Sequence, residues 1–121
     1  MVTALWIAAG GAVGTLARYG LAGAINQSSH PWGTVTVNLA GSLALGVLIG
    51  IWEGGPPADH QLAITIGVLG GFTTFSTFAL DTIALWERGD GGFALLTVAV
   101  SVVGGLAAAI AGLALGRLMS S

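Results

Sequence analysis

Polar residues gather into three short clusters along the chain, 26–31, 53–60 and 87–92, and the stretches between them are almost wholly apolar. They set off four segments, 3–25, 32–52, 62–86 and 93–115, each of at least 21 residues. At ~1.5 Å per residue, every segment is long enough to cross a hydrocarbon core of roughly 30 Å as a helix. Trp32 and Trp52 bracket the second segment, and Trp6 and Trp86 sit near ends of the first and third, as interfacial anchors do. The Gly, Pro, Asn and Asp of the clusters are turn formers. The pattern predicts an all-α membrane protein: one domain, 1–121, of four transmembrane helices with short connectors.

Composition agrees. The chain is 55% hydrophobic and 7% charged, with a mean hydropathy of +0.92, whereas soluble domains carry roughly 25% charged residues. Eight charged side chains cannot cover a water-facing surface of 121 residues. The first segment lacks a basic leading region and contains Arg18, which argues for a membrane helix rather than a cleaved leader. Without cysteine there is no disulfide or thiolate chemistry.

Three arginines and no lysine set the orientation. Arg18 and Arg88 lie toward one side, Arg117 and the terminal amine toward the other, so the Lys/Arg imbalance that orients short loops is close to zero. A chain that inserts both ways can pair with its inverted copy about a two-fold axis in the membrane plane. One fixed orientation is the plainer alternative. Glycine supplies 21 residues and recurs four apart at Gly10/Gly14, Gly46/Gly50, Gly67/Gly71 and Gly112/Gly116, the spacing that lets helix backbones approach closely.

The third segment holds GGFTTFSTF at 70–78. Gly70 and Gly71 weaken helical continuity, and the hydroxyls of Thr73, Thr74, Ser76 and Thr77 compete for backbone groups, so a break or kink is expected there. Broken membrane helices expose carbonyls and dipole ends that ligate small ions. Beyond the break, Thr73, Ser76 and Thr77 share one arc, and Phe75 and Phe78 another. Phenyl edges carry the positive part of the ring quadrupole and can favour an anion; packing against lipid or protein is the commoner fate of such a pair.

In the fourth segment, Thr97 and Ser101 lie on a small, partly polar stripe with Gly104, Ala108 and Gly112. Their hydroxyls could pass an ion along or bond their own i−4 carbonyls. Asn38 shares a face with Gly41 and Ser42 and needs a cross-helix partner or a wet cavity. Arg18 needs the same, or snorkels to the interface. Asp81, about two turns past the break, reaches the boundary or sits in a pore. Most of these groups are weak donors, which suit an anion that must both enter and leave.

GGAVGTLARY in the first segment, WGTVTVNLAGSLALG in the second and GVLGGFTTFSTF in the third are similar to the Fluc (CrcB) fluoride channels, and the resemblance runs over essentially the whole chain. It implies a passive, fluoride-selective exporting channel in the cell (inner or plasma) membrane, multi-pass, assembled as an antiparallel dual-topology homodimer with two pores. It also implies a structural, untransported sodium ion on the dimer axis, held by the main-chain carbonyls of Gly70 and Thr73. By the same resemblance Phe75 and Phe78 line each pore, with Asn38, Ser76 and Thr77 as its polar groups. Thr97 and Ser101 continue the path, Arg18 lies near the aqueous vestibule, and Asp81 is a possible pore acid. Thr97 stands where relatives often have tyrosine, Gly105 where they have a hydroxyl, and Asp81 where many have glutamate. Fluoride, lipid and a second copy are the expected partners, with no nucleic acid.

A second reading is a small dual-topology proton-coupled multidrug antiporter, whose chemistry needs a membrane-embedded carboxylate. The first segment has no acid and Asp81 lies toward a helix end. A third, a packing scaffold, leaves Asn38 and the hydroxyl cluster unexplained. An enzyme is not expected: His30 and His60 fall in connectors on opposite sides, no nucleophile–base set is visible, and GVLGGFTTFS lacks the Gly-Lys-Ser/Thr of a phosphate loop.

Overall fold

The computed structural model describes residues 1–26 and 29–121; Gln27 and Ser28 of the first connector lie outside the described residues. Five helices follow in order: α1 Val2–Ile25, α2 Trp32–Ile51, α3 at 59–72, α4 Phe75–Glu87 and α5 Gly91–Ser120. Helices α3 and α4 are two halves of one span, Asp59–Glu87, so the described chain has four helical columns and no strand. Two stretches are underwound and widened into π-helix, Ala63–Leu69 in α3 and Val100–Gly104 in α5. Three columns, Trp32–Ile51, Asp59–Glu87 and Gly91–Ser120, are both long and apolar enough to cross a membrane. The first has the length at 24 residues, but its glycines and Arg18 dilute its apolar character.

The helix ends are secured at both extremities of the bundle. At one, Thr3 Oγ1 donates to Asp59 Oδ1 at 2.7 Å, and Arg117 grips the exposed carboxylate of Glu53 through Nε and Nη2 at 2.7–3.0 Å. The guanidinium's hydrogen bonds hold the Glu53 carboxyl below the usual carboxylate range. At the other, Arg88 Nη2 donates to the Ser29 carbonyl at 2.7 Å, and Asn26 Oδ1 accepts from the Gly33 N–H at 2.6 Å, satisfying one of the open donors at the start of α2. Gly89, at φ +85°, turns the chain from α4 into α5. Arg88 and Arg117 therefore occupy opposite ends.

Glycine decides which columns touch. A methyl built on Gly10 or Gly14 would run into the carbonyls of Ala63 and Val68 in α3, and one on Gly67 or Gly71 would come within 2.6–2.7 Å of the carbonyls of Ile7 and Gly11 in α1. Gly46 and Gly50 of α2 meet Ala109 and Leu113 of α5 in the same way, and Gly112 and Gly116 return the contact onto Leu43 and Val47. The four spaced pairs are thus two reciprocal interfaces, α1 with α3 and α2 with the second half of α5, at backbone-to-backbone distance. The first half of α5 packs on α4.

Little of the apolar surface is covered by the chain itself. Val35, Val37, Ala63, Leu85 and Ala94 are the buried hydrophobics, whereas Leu16, Ile66, Leu95, Val103, Leu106 and Ile110 all stand exposed. So much outward-facing aliphatic surface needs lipid or another protein against it.

Candidate functional site

The third span ruptures at Thr73 and Thr74. Both are extended, with φ/ψ of −89°/155° and −151°/120°, while Gly70 keeps helical angles of −63°/−37° and Gly71 remains inside the helical Gly70–Phe72 turn. The break therefore lies two residues past Gly71, beyond the glycine pair at which the sequence places its start. Gly71 serves close approach to α1 instead, since a Cβ there would sit 2.7 Å from the Gly11 carbonyl. The rupture falls on two threonines because substitutes for the lost helical bonds are available to them. It also leaves Thr73 in the gap, outside the arc that Ser76 and Thr77 occupy on α4.

Those substitutes come from three directions. The Thr73 N–H still reaches the Leu69 carbonyl at 3.0 Å. The Thr74 N–H, which an unbroken helix would direct to Gly70, donates to Asn38 Oδ1 at 2.7 Å, and Asn38 Nδ2 returns a bond to the Thr74 carbonyl at 2.9 Å. Thr74 Oγ1 then caps α4 by accepting from the Thr77 N–H at 3.3 Å, the role that hydroxyl residues play at helix N-termini. Its own proton goes to Thr77 Oγ1 at 3.1 Å. On the far side of the gap, Arg18 Nε donates to the Gly71 carbonyl at 3.1 Å.

Two recesses flank the break. One, of about 290 Å³, is lined by Asn38, Gly41, Ser42, Gly70, Thr73 and Phe75 among others. The second, of about 300 Å³, is lined by Arg18, Asn26, Thr34, Thr74 and Thr77. Thr74 borders both. Nearer the Arg88 end, a third hollow of about 180 Å³ holds Asp81 with Asn26, His30 and Arg88, and Thr34 Oγ1 donates to Asp81 Oδ2 at 2.8 Å.

The structure thus brings Asn38, Gly70, Thr73 and Phe75 around one recess, and Arg18 and Thr77 around the other. Phe78 packs its ring on Phe75 with centroids 5.7 Å apart and planes inclined by 57°; Phe75 itself is 79% exposed. Ser76 Oγ lies 3.5 Å from Thr74 Oγ1. Thr97 and Ser101 border neither recess. Thr97 is buried, with its hydroxyl on its own i−4 carbonyl, Phe93, at 2.8 Å. Ser101 Oγ, in the π-helical turn of α5, is the one buried side-chain polar atom among the described residues that has no partner. Sequence reasoning counts Thr74 only among the hydroxyls that weaken the helix, not as a cap, and gives Thr34 no role. A threonine immediately before Phe-Ser-Thr is a readable cap signal for the first; for the second, only the fold reveals the carboxylate opposite.

Residues 5–113 match the family model described as CrcB-like protein, Camphor Resistance (CrcB). The chain is 50% identical over 118 residues to a protein of Paracoccus denitrificans named fluoride-specific ion channel FluC, covering 95% of this chain and 94% of the relative. It is 45% identical over 109 residues to fluoride-specific ion channel FluC 2 of Haloarcula marismortui, covering 90% and 86%. With the FluC of Agrobacterium fabrum it shares 42% over 123 residues, covering 97% and 98%. These matches, over nearly the full length of chains named as channels rather than enzymes, show that the chain is a multi-pass membrane protein belonging to the CrcB family.

Proposed function

We propose that this protein is a fluoride-selective channel that lets fluoride leave the cell passively and so lowers its toxicity inside. The observation that carries the reading is the broken span, which gathers hydroxyls, an amide, a guanidinium and two phenyl rings about the middle of the helical column Asp59–Glu87, in a chain similar to proteins named fluoride-specific ion channels. Thr74 commits its hydroxyl proton to Thr77 Oγ1, which leaves the Thr77 proton free to turn toward an anion. Donors of this strength, joined by the ring edges of Phe75 and Phe78, desolvate a small hard anion without trapping it. Arg18, beside Thr77 and Thr34, supplies the positive charge at the approach.

The working unit is an antiparallel homodimer of four-span subunits in the cell membrane. Its support is the balance of arginine, with Arg88 and Arg117 at opposite ends, together with the exposure of Phe75 and of so much aliphatic surface. Structural sodium fits the break. The Thr74 and Thr77 N–H groups, the helical donors for Gly70 and Thr73, are directed elsewhere, and both residues border one recess, so two main-chain oxygens remain for a hard cation. Such an ion would supply fixed positive charge and tie the two subunits at the axis.

The test is flux. Liposomes containing the purified protein and loaded with fluoride and chloride should release fluoride rapidly under a voltage-balanced gradient while chloride stays inside. Equal retention of the two ions removes the proposal.

A further inference from the structure

We infer that Asn38 and Arg18 are positioning residues that hold the third span open, each lending from a neighbouring helix a hydrogen bond that the broken helix has lost. Asn38, on α2, presents its amide edge to Thr74 and makes both bonds a peptide group would make, 2.7 Å from N–H to Oδ1 and 2.9 Å from Nδ2 to the carbonyl. Only an amide has a donor and an acceptor side by side on one short stem. Aspartate at 38 would keep the acceptor and lose the donor; alanine would lose both. Arg18, on α1, closes the other lip at the Gly71 carbonyl, at the C-terminal end of α3, where the helix dipole leaves partial negative charge.

The two contacts alternate along the gap. Carbonyls 71 and 74 are engaged by Arg18 and Asn38, whereas 70 and 73 have lost their helical donors and border the open recess. Cross-helix clamping thereby selects which oxygens are left for a cation. Without it, the Thr74 N–H has its nearest helical acceptor at Gly70, and closing that bond would consume one of the two free oxygens and straighten the span. Asn38 and Arg18 thus act on the backbone of the break as well as bordering the two recesses, a step that rests on the channel reading only where sodium and flux are measured.

Hydrogen exchange at the Thr74 amide and the sodium concentration giving half the sodium-dependent rise in melting midpoint should be measured together in detergent. The variants are Asn38→Ala, Asn38→Asp and Arg18→Lys, and fluoride flux is run in parallel. In Asn38→Ala the Thr74 amide should exchange about 10-fold faster, the effect of one lost hydrogen bond of ordinary strength, while in Asn38→Asp it stays protected. Asn38→Ala and Arg18→Lys should each need about 10-fold more sodium for half effect, and flux should recover at saturating sodium in Arg18→Lys, which keeps the positive charge. Unchanged Thr74 exchange in Asn38→Ala overturns the clamp, as does an unchanged sodium requirement in both Asn38→Ala and Arg18→Lys. If Asn38→Ala does not fold, Thr74 exchange in Asn38→Asp and the sodium requirement of Arg18→Lys decide. Wild-type protein that passes no fluoride would refute the channel reading, yet the exchange comparison would still decide the clamp.

Discussion

Thr34 Oγ1 of α2 donates to Asp81 Oδ2 of α4 at 2.8 Å, joining the second span to the half of the third that lies beyond the break. Thr34 is 3% exposed, so the carboxylate accepts from a donor that water does not readily replace. Thr34→Val keeps the shape and deletes the donor, and should cost about 1–3 kcal/mol, read as a lower melting midpoint in detergent. Thr34→Ser should recover most of that loss, and Asp81→Asn, which retains an acceptor oxygen, should cost less than Thr34→Val. Equal midpoints for the valine and serine variants would show that the hydroxyl does not hold Asp81.

Glycines that differ only in position should respond in opposite directions to the same added methyl. At Gly14 and Gly112 the new carbon would strike the Val68 and Leu43 carbonyls, whereas at Gly20 and Gly23 nothing lies within 4 Å. Gly14→Ala and Gly112→Ala should each lose about 1–3 kcal/mol or more by forcing helices apart. Gly20→Ala should gain about 0.5–1 kcal/mol from reduced backbone freedom in the unfolded chain. Chemical or thermal denaturation of the three variants checks the sign at each position.

How far the sequence could be read is set by how local each feature is. Polar clusters mark helix ends because hydrocarbon tolerates few of them, and spaced glycines announce close faces; neither says that Gly10 and Gly14 meet Gly67 and Gly71 rather than Gly46 and Gly50. The cost of burying the Asn38 amide was legible, but its partner, the backbone of Thr74 36 residues away, was not. The break itself was visible in the run of hydroxyls, yet its position was drawn toward Gly70 and Gly71 because backbone freedom is a local property, and the deciding bonds come from α1 and α2. The π-helical turns at Ala63–Leu69 and Val100–Gly104 left no mark in the residues at all, since their extra carbonyl spacing follows from packing.

Phe75 and Phe78 test whether ring edges do more than fill space. Their centroids are 5.7 Å apart, and isoleucine at either position keeps the bulk while removing the quadrupole. If ring edges contribute about 1.4 kcal/mol to the desolvated anion, inside the range for aromatic contacts, each substitution should slow fluoride release about 10-fold without changing the size-exclusion profile of the assembled protein. Wild-type release from both Phe75→Ile and Phe78→Ile would mean that the rings only pack.

Thr97 and Ser101 are one helical turn apart on α5, yet only one of them has a hydroxyl to spare. Thr97 spends its proton on the Phe93 carbonyl at 2.8 Å, while Ser101 Oγ is buried with no partner. An unsatisfied buried hydroxyl costs stability, on the order of 1–3 kcal/mol, and is kept only where something else uses it. Ser101→Ala should therefore leave the melting midpoint unchanged or raise it, and should slow fluoride flux if that hydroxyl serves a passing anion. Thr97→Val, which deletes a bond internal to its own helix, should leave flux within about twofold of wild type and cost no more than about 1 kcal/mol. Should Ser101→Ala destabilise the protein instead, the hydroxyl must bond across the interface between copies, and the same result in the presence and absence of fluoride would assign it to assembly rather than to the ion's route.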